Sequence, residues 1–398
     1  MGTVTLKISA AALIALSLWP ARALAGQPVP VTAQPTPGEV QHWGAFFGDG
    51  LSADSDVTVW PTGVSFPDSA PVIQVGTSNA AEYALLSDGT LWAWGQGTNG
   101  ELGDGSDANS FTTPVQVQFP AGVQIAFIAT DAMPFDTGLA VDTNGNAWGW
   151  GLNAHGELCL GNKTAYAAPV ELPLTGVTAL AGASGHAVYD AGGTLYSCGS
   201  NWNGVLGHGA GGSSTTPVTV AGLNGQDVIA LVSAFGNAGA MLADGRFYDW
   251  GYDAAGQLGD GTTGTSSSMP VQVALPGPVT QVAEGGSNKL NGQTLVMLAD
   301  GSLYAWGSDT NSQLGDGGTT SEASPVPFSP PAGVTYSTLA TGGATSYAIS
   351  TDGTVYAWGL GSRGELGIGT KQSSAVPVQT AASPASLISS TANDVVVH

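Results

Sequence analysis

Both cysteines and three of the five histidines fall in one stretch, as His155, Cys159, His186, Cys198 and His208. Thiols and imidazoles gathered in this way have three chemical outcomes. Two cysteines in an exported chain close a disulfide, here Cys159 with Cys198. The same two stand equally as buried unpaired thiols. With His155 and His208 they also make a zinc donor set, one whose spacing matches no compact zinc module. Carboxylates are the other candidates. Asp49, Asp54 and Asp56 offer oxygens to calcium, and Asp104, Asp260 and Asp316 sit in equivalent Gly-Asp-Gly turns. Calcium needs roughly six to eight converging oxygens, whereas repeated turns point outward separately, so turn geometry is the role expected of the second set. No nucleophile elbow, phosphate-cradling Gly-Lys-Ser/Thr or His-Glu-x-x-His occurs. The residues imply no cofactor and no catalytic set, and five histidines are few for general acid–base work.

The tryptophans are more orderly. Trp43, Trp94, Trp150, Trp250, Trp306 and Trp358 each precede a glycine, and Cys198 precedes Gly199 in the same way. The anchor glycines Gly44, Gly95, Gly151, Gly199, Gly251, Gly307 and Gly359 are 51, 56, 48, 52, 56 and 52 residues apart. Self-similarity at such a period means propeller blades or solenoid units. A tryptophan recurring at one repeat position packs in a core or between repeats. Trp60, Trp92, Trp148 and Trp202 lie off that position, and exposed on one rim they would anchor a protein partner.

The repeat also specifies its own strands. Six residues before an anchor glycine lies another glycine, usually as Asp-Gly or Asn-Gly, as at Asp88-Gly89, Asn144-Gly145 and Asp352-Gly353. Flanked by short apolar runs, these read as hairpin turns. A second turn follows each anchor, as in Gly100-Glu101-Leu102-Gly103 and Gly256-Gln257-Leu258-Gly259, whose leucine plugs the core. A Pro-Val pair then opens a further strand at Pro114, Pro169, Pro217, Pro270, Pro325 and Pro377. No helical period persists. The expected fold is all-β, a seven-bladed propeller with four-stranded blades. Residues 385–398 begin a repeat that stops where its hairpin is due, and Pro37-Gly38 through Trp43-Gly44 supplies the missing half. One composite blade from both termini therefore closes the ring and removes free sheet edges.

The text Asp-Gly-Thr-(Leu/Val)-(Trp/Tyr)-Ala-Trp-Gly with Gly-(Glu/Gln)-Leu-Gly-x-Gly resembles the regulator of chromosome condensation repeat family over roughly residues 38–398. That resemblance implies seven-bladed propellers. Its members include exchange factors for small GTPases, ligase-associated domains and secreted bacterial inhibitors of β-lactamases, so it transfers architecture rather than activity. Many members carry His-Thr eight and seven residues before the hairpin glycine. Here the matching pairs include Ala81-Glu82, Asn237-Ala238 and Gln293-Thr294, and no active-site residue carries over.

At the N-terminus, Lys7, the apolar run Ile8 to Leu18 and Ala23-Leu24-Ala25 before Gly26 read as a cleaved export signal over residues 1–25. Residues 26–37 read as a proline-rich linker and 38–398 as one propeller domain. The protein is therefore expected to be secreted or periplasmic, without stable membrane insertion. Removing Lys7 and Arg22 takes the formal net charge from −22 to −24. Such a surface repels nucleic acid and suits solubility or a basic partner. The expected function is a monomeric, non-enzymatic scaffold for a protein or cell-envelope ligand, with inhibition as one form of it. An enzyme with a site at the channel mouth is the alternative, and an exchange factor for a small GTPase the third.

Overall fold

The computed structural model describes residues 39–44, 58–78, 81–129, 136–183, 185–209, 211–286, 292–390 and 394–398. The expected signal at 1–25, the linker at 26–37 and Asp49, Asp54 and Asp56 lie outside those residues. The chain forms seven four-stranded antiparallel sheets. Blade I runs from its inner strand outward through Val72–Thr77, Ala81–Leu86, Leu91–Gly95 and Ser110–Gln116. Blades II to VI repeat that order over 125–175, 177–219, 228–272, 279–328 and 336–379.

Blade VII is the composite. Ile388–Ser390 and Asp394–Val397 supply its inner half, and Val40–Gly44 and Thr58–Val64 its outer half. Trp43 pairs with Val395, and Val40 with Val64. A backbone ladder thus joins the first and last described strands of the chain.

Sequence and burial agree strand by strand. Ala81–Leu86 is buried at every position because neighbouring blades cover both of its faces, which accounts for an unbroken apolar run where one-sided burial would alternate. The hairpin after it turns at Gly89, whose φ of +83° suits glycine, while Asp88 Oδ1 accepts the Thr90 amide at 2.9 Å. The Pro-Val pairs differ from expectation: Pro114 lies inside the outer strand Ser110–Gln116, which begins four residues earlier. An outer strand has a free edge, so a missing N–H costs no ladder bond there. Among the described residues the one helical element is the 3-10 turn Trp202–Gly204, and no helix is long and apolar enough to cross a membrane.

Candidate functional site

The turn after each anchor is where one blade grips the next. Leu102, Leu158, Leu206, Leu258, Leu314 and Leu366 are fully buried in these turns. The carbonyl just before the leucine accepts the indole N–H of the following blade's tryptophan: Glu101 from Trp150 at 2.8 Å, Val205 from Trp250 at 2.7 Å and Gln257 from Trp306 at 2.9 Å. Gln313 and Glu365 accept from Trp358 and Trp43 in the same way. The glycine just after the leucine packs against that indole. A Cβ on Gly259 would meet Trp306 at 2.7 Å, and one on Gly315 would meet Trp358 at 2.5 Å. Trp43, Trp150, Trp250, Trp306 and Trp358 are therefore interblade latches, and Trp94 is enclosed like them but makes no such bond among the described residues.

Between blades II and III both halves of the latch are replaced. Cys159 occupies the turn-glycine position, at φ +61°, and Cys198 the tryptophan position. They are joined in a disulfide with Cα atoms 5.4 Å apart. A thiol pair at two such positions spans the interblade gap that indole and glycine fill elsewhere. His155 and His208 are not drawn into a zinc site: no group of three or more His, Cys, Asp or Glu side chains among the described residues could hold a metal. Asp104, Asp260 and Asp316 spend an oxygen on the amide two residues on, at 2.9, 2.8 and 2.7 Å.

The latch turns also carry buried carboxyl groups. In blades IV and V, Asp253 and Asp309 accept the turn leucine amide at 3.2 and 2.8 Å. In blades II and III, Asn153 and Asn201 make the same bond. Burial, then the charge of Asp260, pushes Asp253 up to about 6, and burial with Asp316 and Glu322 does the same to Asp309. Glu101, Glu157 and Glu365, which fold back onto the amides of Asn99, His155 and Arg363, are raised by burial as well. Where the first position is Asp, the second is Gln257 or Gln313, and where the second is Glu157 the first is Asn153. None of the described latch turns buries both carboxylates, which would repel each other in a site already poor in water.

The off-anchor tryptophans do not share a rim, which corrects the expectation for them. Trp92 and Trp148 sit at the hairpin ends of their strands. Trp148 is 6% exposed, enclosed by Phe119 edge-to-face at 5.9 Å, with its Nε1–H donated to Asp142 Oδ2 at 3.2 Å. Trp60 and Trp202 lie toward the opposite end of the blades, and both are exposed. Trp202 is 47% exposed in the 3-10 turn. It stands between His155 of blade II, 5.3 Å away edge-to-face, and Phe235 of blade IV, 6.1 Å away and tilted 31°. The side chain of Tyr252 lies beside Phe235's neighbour Gly236. Burial, then the charge of Lys163, lowers the His155 pKa and favours the neutral ring. The result is an uncharged aromatic strip across three blades. Sequence reasoning took His155 only as a metal donor and did not name Phe235, because only blade stacking brings the two rings to Trp202.

Acid–base groups elsewhere are buried and dispersed. Asp249 is pushed well above the usual carboxylate range by burial and then by Glu284 of the next blade. His186 is pulled down to about 4 by burial, and its Nε2 lies 2.8 Å from Ser233 Oγ. His42 meets Glu82 at 3.2 Å across the closing seam. The His186–Ser233 and His42–Glu82 contacts each join neighbouring blades, whereas Asp249 and Glu284 are like groups facing each other across a junction.

Comparison with known proteins fits this geometry. The model of the regulator of chromosome condensation (RCC1) repeat matches residues 88–130, 192–237, 244–288, 300–349 and 352–392, more than half of the chain. The ultraviolet-B receptor UVR8 of Arabidopsis thaliana is 29% identical over 281 residues, which cover 69% of this chain and 61% of the receptor. The E3 ubiquitin-protein ligase HERC2 of Mus musculus is 29% identical over 295 residues, covering 72% of this chain and 6% of the ligase. The chain thus spans less than two thirds of the length of these relatives. The crystal structure of Prp20p from Saccharomyces cerevisiae matches with a TM-score of 0.76 at 21% identity, over 92% of both chains. Human WBSCR16 matches with a TM-score of 0.76 at 19% identity, over 90% of this chain and 99% of the other. At these identities the structural likeness speaks for fold alone.

Proposed function

This chain belongs to the regulator of chromosome condensation repeat family, and from that premise we propose that it is an exported, non-catalytic propeller that holds a protein partner against its Trp202 face. Protein binding is at home in the fold: Prp20p is described with its binding to Gsp1p and histones, and in complex with Kap60. The observation that carries the reading is Trp202 itself. A large aromatic, nearly half exposed and held between rings from the two adjacent blades, is pre-organised and loses little entropy on docking. The apolar signal-like segment at residues 8–18 supports export, as does a disulfide, which persists in oxidising compartments. The dispersed, buried acid–base pairs favour binding over turnover.

The test uses residues 26–398 as bait against secreted and envelope proteins, followed by titration of the purified partner. Trp202→Ala should weaken binding by about 30-fold, roughly 2 kcal/mol, with an unchanged melting temperature. Unaltered affinity in that variant would remove the Trp202 face from the reading. Peptide or polysaccharide turnover by metal-free protein, lost on mutating the buried acids, would replace binding with catalysis. Mass spectrometry of the protein exported by a bacterial host checks the proposed N-terminus at Gly26.

A further inference from the structure

The interblade slot around Trp148 is closed, whereas the equivalent slot one blade earlier stands open. Trp92 and Trp148 occupy one repeat position, three residues before the anchor glycines Gly95 and Gly151. Both face the preceding blade. At the closed slot, Phe119 covers Trp148 and Trp150 together, at 5.9 and 5.7 Å. At the open one, Phe66 of blade VII packs edge-on against Trp94 at 5.6 Å, and Trp92 remains half-buried. A cleft of about 520 Å³ results, lined by Phe66, Pro67, Asp68, Ser69 and Trp92.

Asp68 is the one ionisable side chain in that lining. Its Oδ1 accepts the Ala70 amide at 2.9 Å, and Asp88 at the neighbouring hairpin tip adds a second carboxylate nearby. Among the described residues no lysine or arginine pairs with Asp68. Between Arg22 and Lys163 the sequence contains no lysine or arginine, yet it carries fourteen aspartates and glutamates. The cleft lies in the middle of that stretch. An aliphatic guest would fill the space and leave the carboxylates unanswered, and an anion would be repelled. A guanidinium answers both surfaces, since it is planar enough to lie on an indole and pairs with carboxylates through a fixed fork of donors.

We propose that the Trp92–Asp68 cleft binds an arginine side chain from a basic peptide segment of a partner protein, the guanidinium lying against the indole and paired with Asp68. This site is at the end of the blades opposite Trp202 and stands or falls independently of the Trp202 face.

The experiment labels the full propeller with 5-fluorotryptophan and assigns the Trp92 resonance with Trp92→Leu. A short arginine-bearing peptide is then titrated at physiological salt, beside its citrulline and lysine analogues. The arginine peptide should shift the Trp92 resonance saturably, and citrulline should weaken binding by about tenfold. Asp68→Asn, an accessible site whose loss does not threaten folding, should weaken it several-fold, and Trp202→Ala should leave it unchanged. Equal binding to wild type, Asp68→Asn and Trp92→Leu would mean general attraction to an acidic surface and would overturn the proposal. So would an immobile Trp92 resonance. If deleting residues 26–37 moved that resonance in the unliganded protein as the peptide does, the occupant would be the chain's own proline-rich segment, and the proposal would fall.

Discussion

Cys198 stands where six other blades carry a tryptophan, and it is bonded to Cys159, which stands where the preceding turn would carry a glycine. The two departures from the repeat are one substitution made in two places. An indole needs a glycine opposite it, because any Cβ there would press into the ring. Once the indole is gone the glycine is no longer required, and a covalent bond takes over the work of the N–H bond and the packing together.

The latch can therefore be exchanged. Cys159→Ser with Cys198→Ser, which removes the bond across 39 residues of sequence, should cost about 2–4 kcal/mol in denaturant unfolding. Cys159→Gly with Cys198→Trp should recover much of that loss and make stability indifferent to reductant. A Gly/Trp variant no more stable than the Ser/Ser variant would show that the junction is not interchangeable.

Trp306 fills its slot completely and donates to Gln257. Trp306→Ala leaves an indole-sized hole and an orphaned carbonyl, and should cost roughly 3–5 kcal/mol. Trp358→Ala should behave alike because it meets Gln313 and Gly315 in the same way. Melting close to that of the wild type in either variant would contradict the latch.

Deleting residues 385–398 removes Ile388–Ser390 and Asp394–Val397 and strips Val40–Gly44 of its inner partner. Two raw strand edges face each other, so the product should aggregate or unfold on size-exclusion chromatography. A soluble monomer of unchanged stability would mean that the closing blade contributes nothing.

Asp253 and Asp309 give the pH dependence its sign. Their folded pKa of about 6 lies above the ordinary aspartate value, so the folded state holds more protons than the unfolded state between about pH 4 and 6. Their contribution is fully present below that window and is lost as pH rises through 6. Asn153 and Asn201 show that an amide fits the position. Asp253→Asn with Asp309→Asn should stabilise the protein by roughly 1–3 kcal/mol at pH 7 and hardly at all at pH 4. His186, lowered to about 4, acts in the opposite direction but equally in both proteins, so it cancels from the comparison. A difference that did not change between pH 4 and 7 would refute the assignment.

The periodic part of this protein is legible in its sequence. Asp-Gly hairpins, turn leucines and tryptophan-glycine anchors act within one repeat, and their local geometry requires those residue types wherever they recur. That sufficed for seven blades and for ring closure by a blade shared between the two termini. The oddities of Cys159 and Cys198 were equally visible one at a time. Which tryptophan faces which turn depends on how blades stack, and a linear period does not encode that. Trp92, Trp148 and Trp202 looked equivalent as outliers. Tertiary packing made Trp148 core by laying Phe119 over it, left Trp92 beside a cleft, and set Trp202 between His155 and Phe235. A repeat dictates the contacts that every blade makes alike, whereas exposure and charge at one seam depend on the neighbours that only the closed ring brings together.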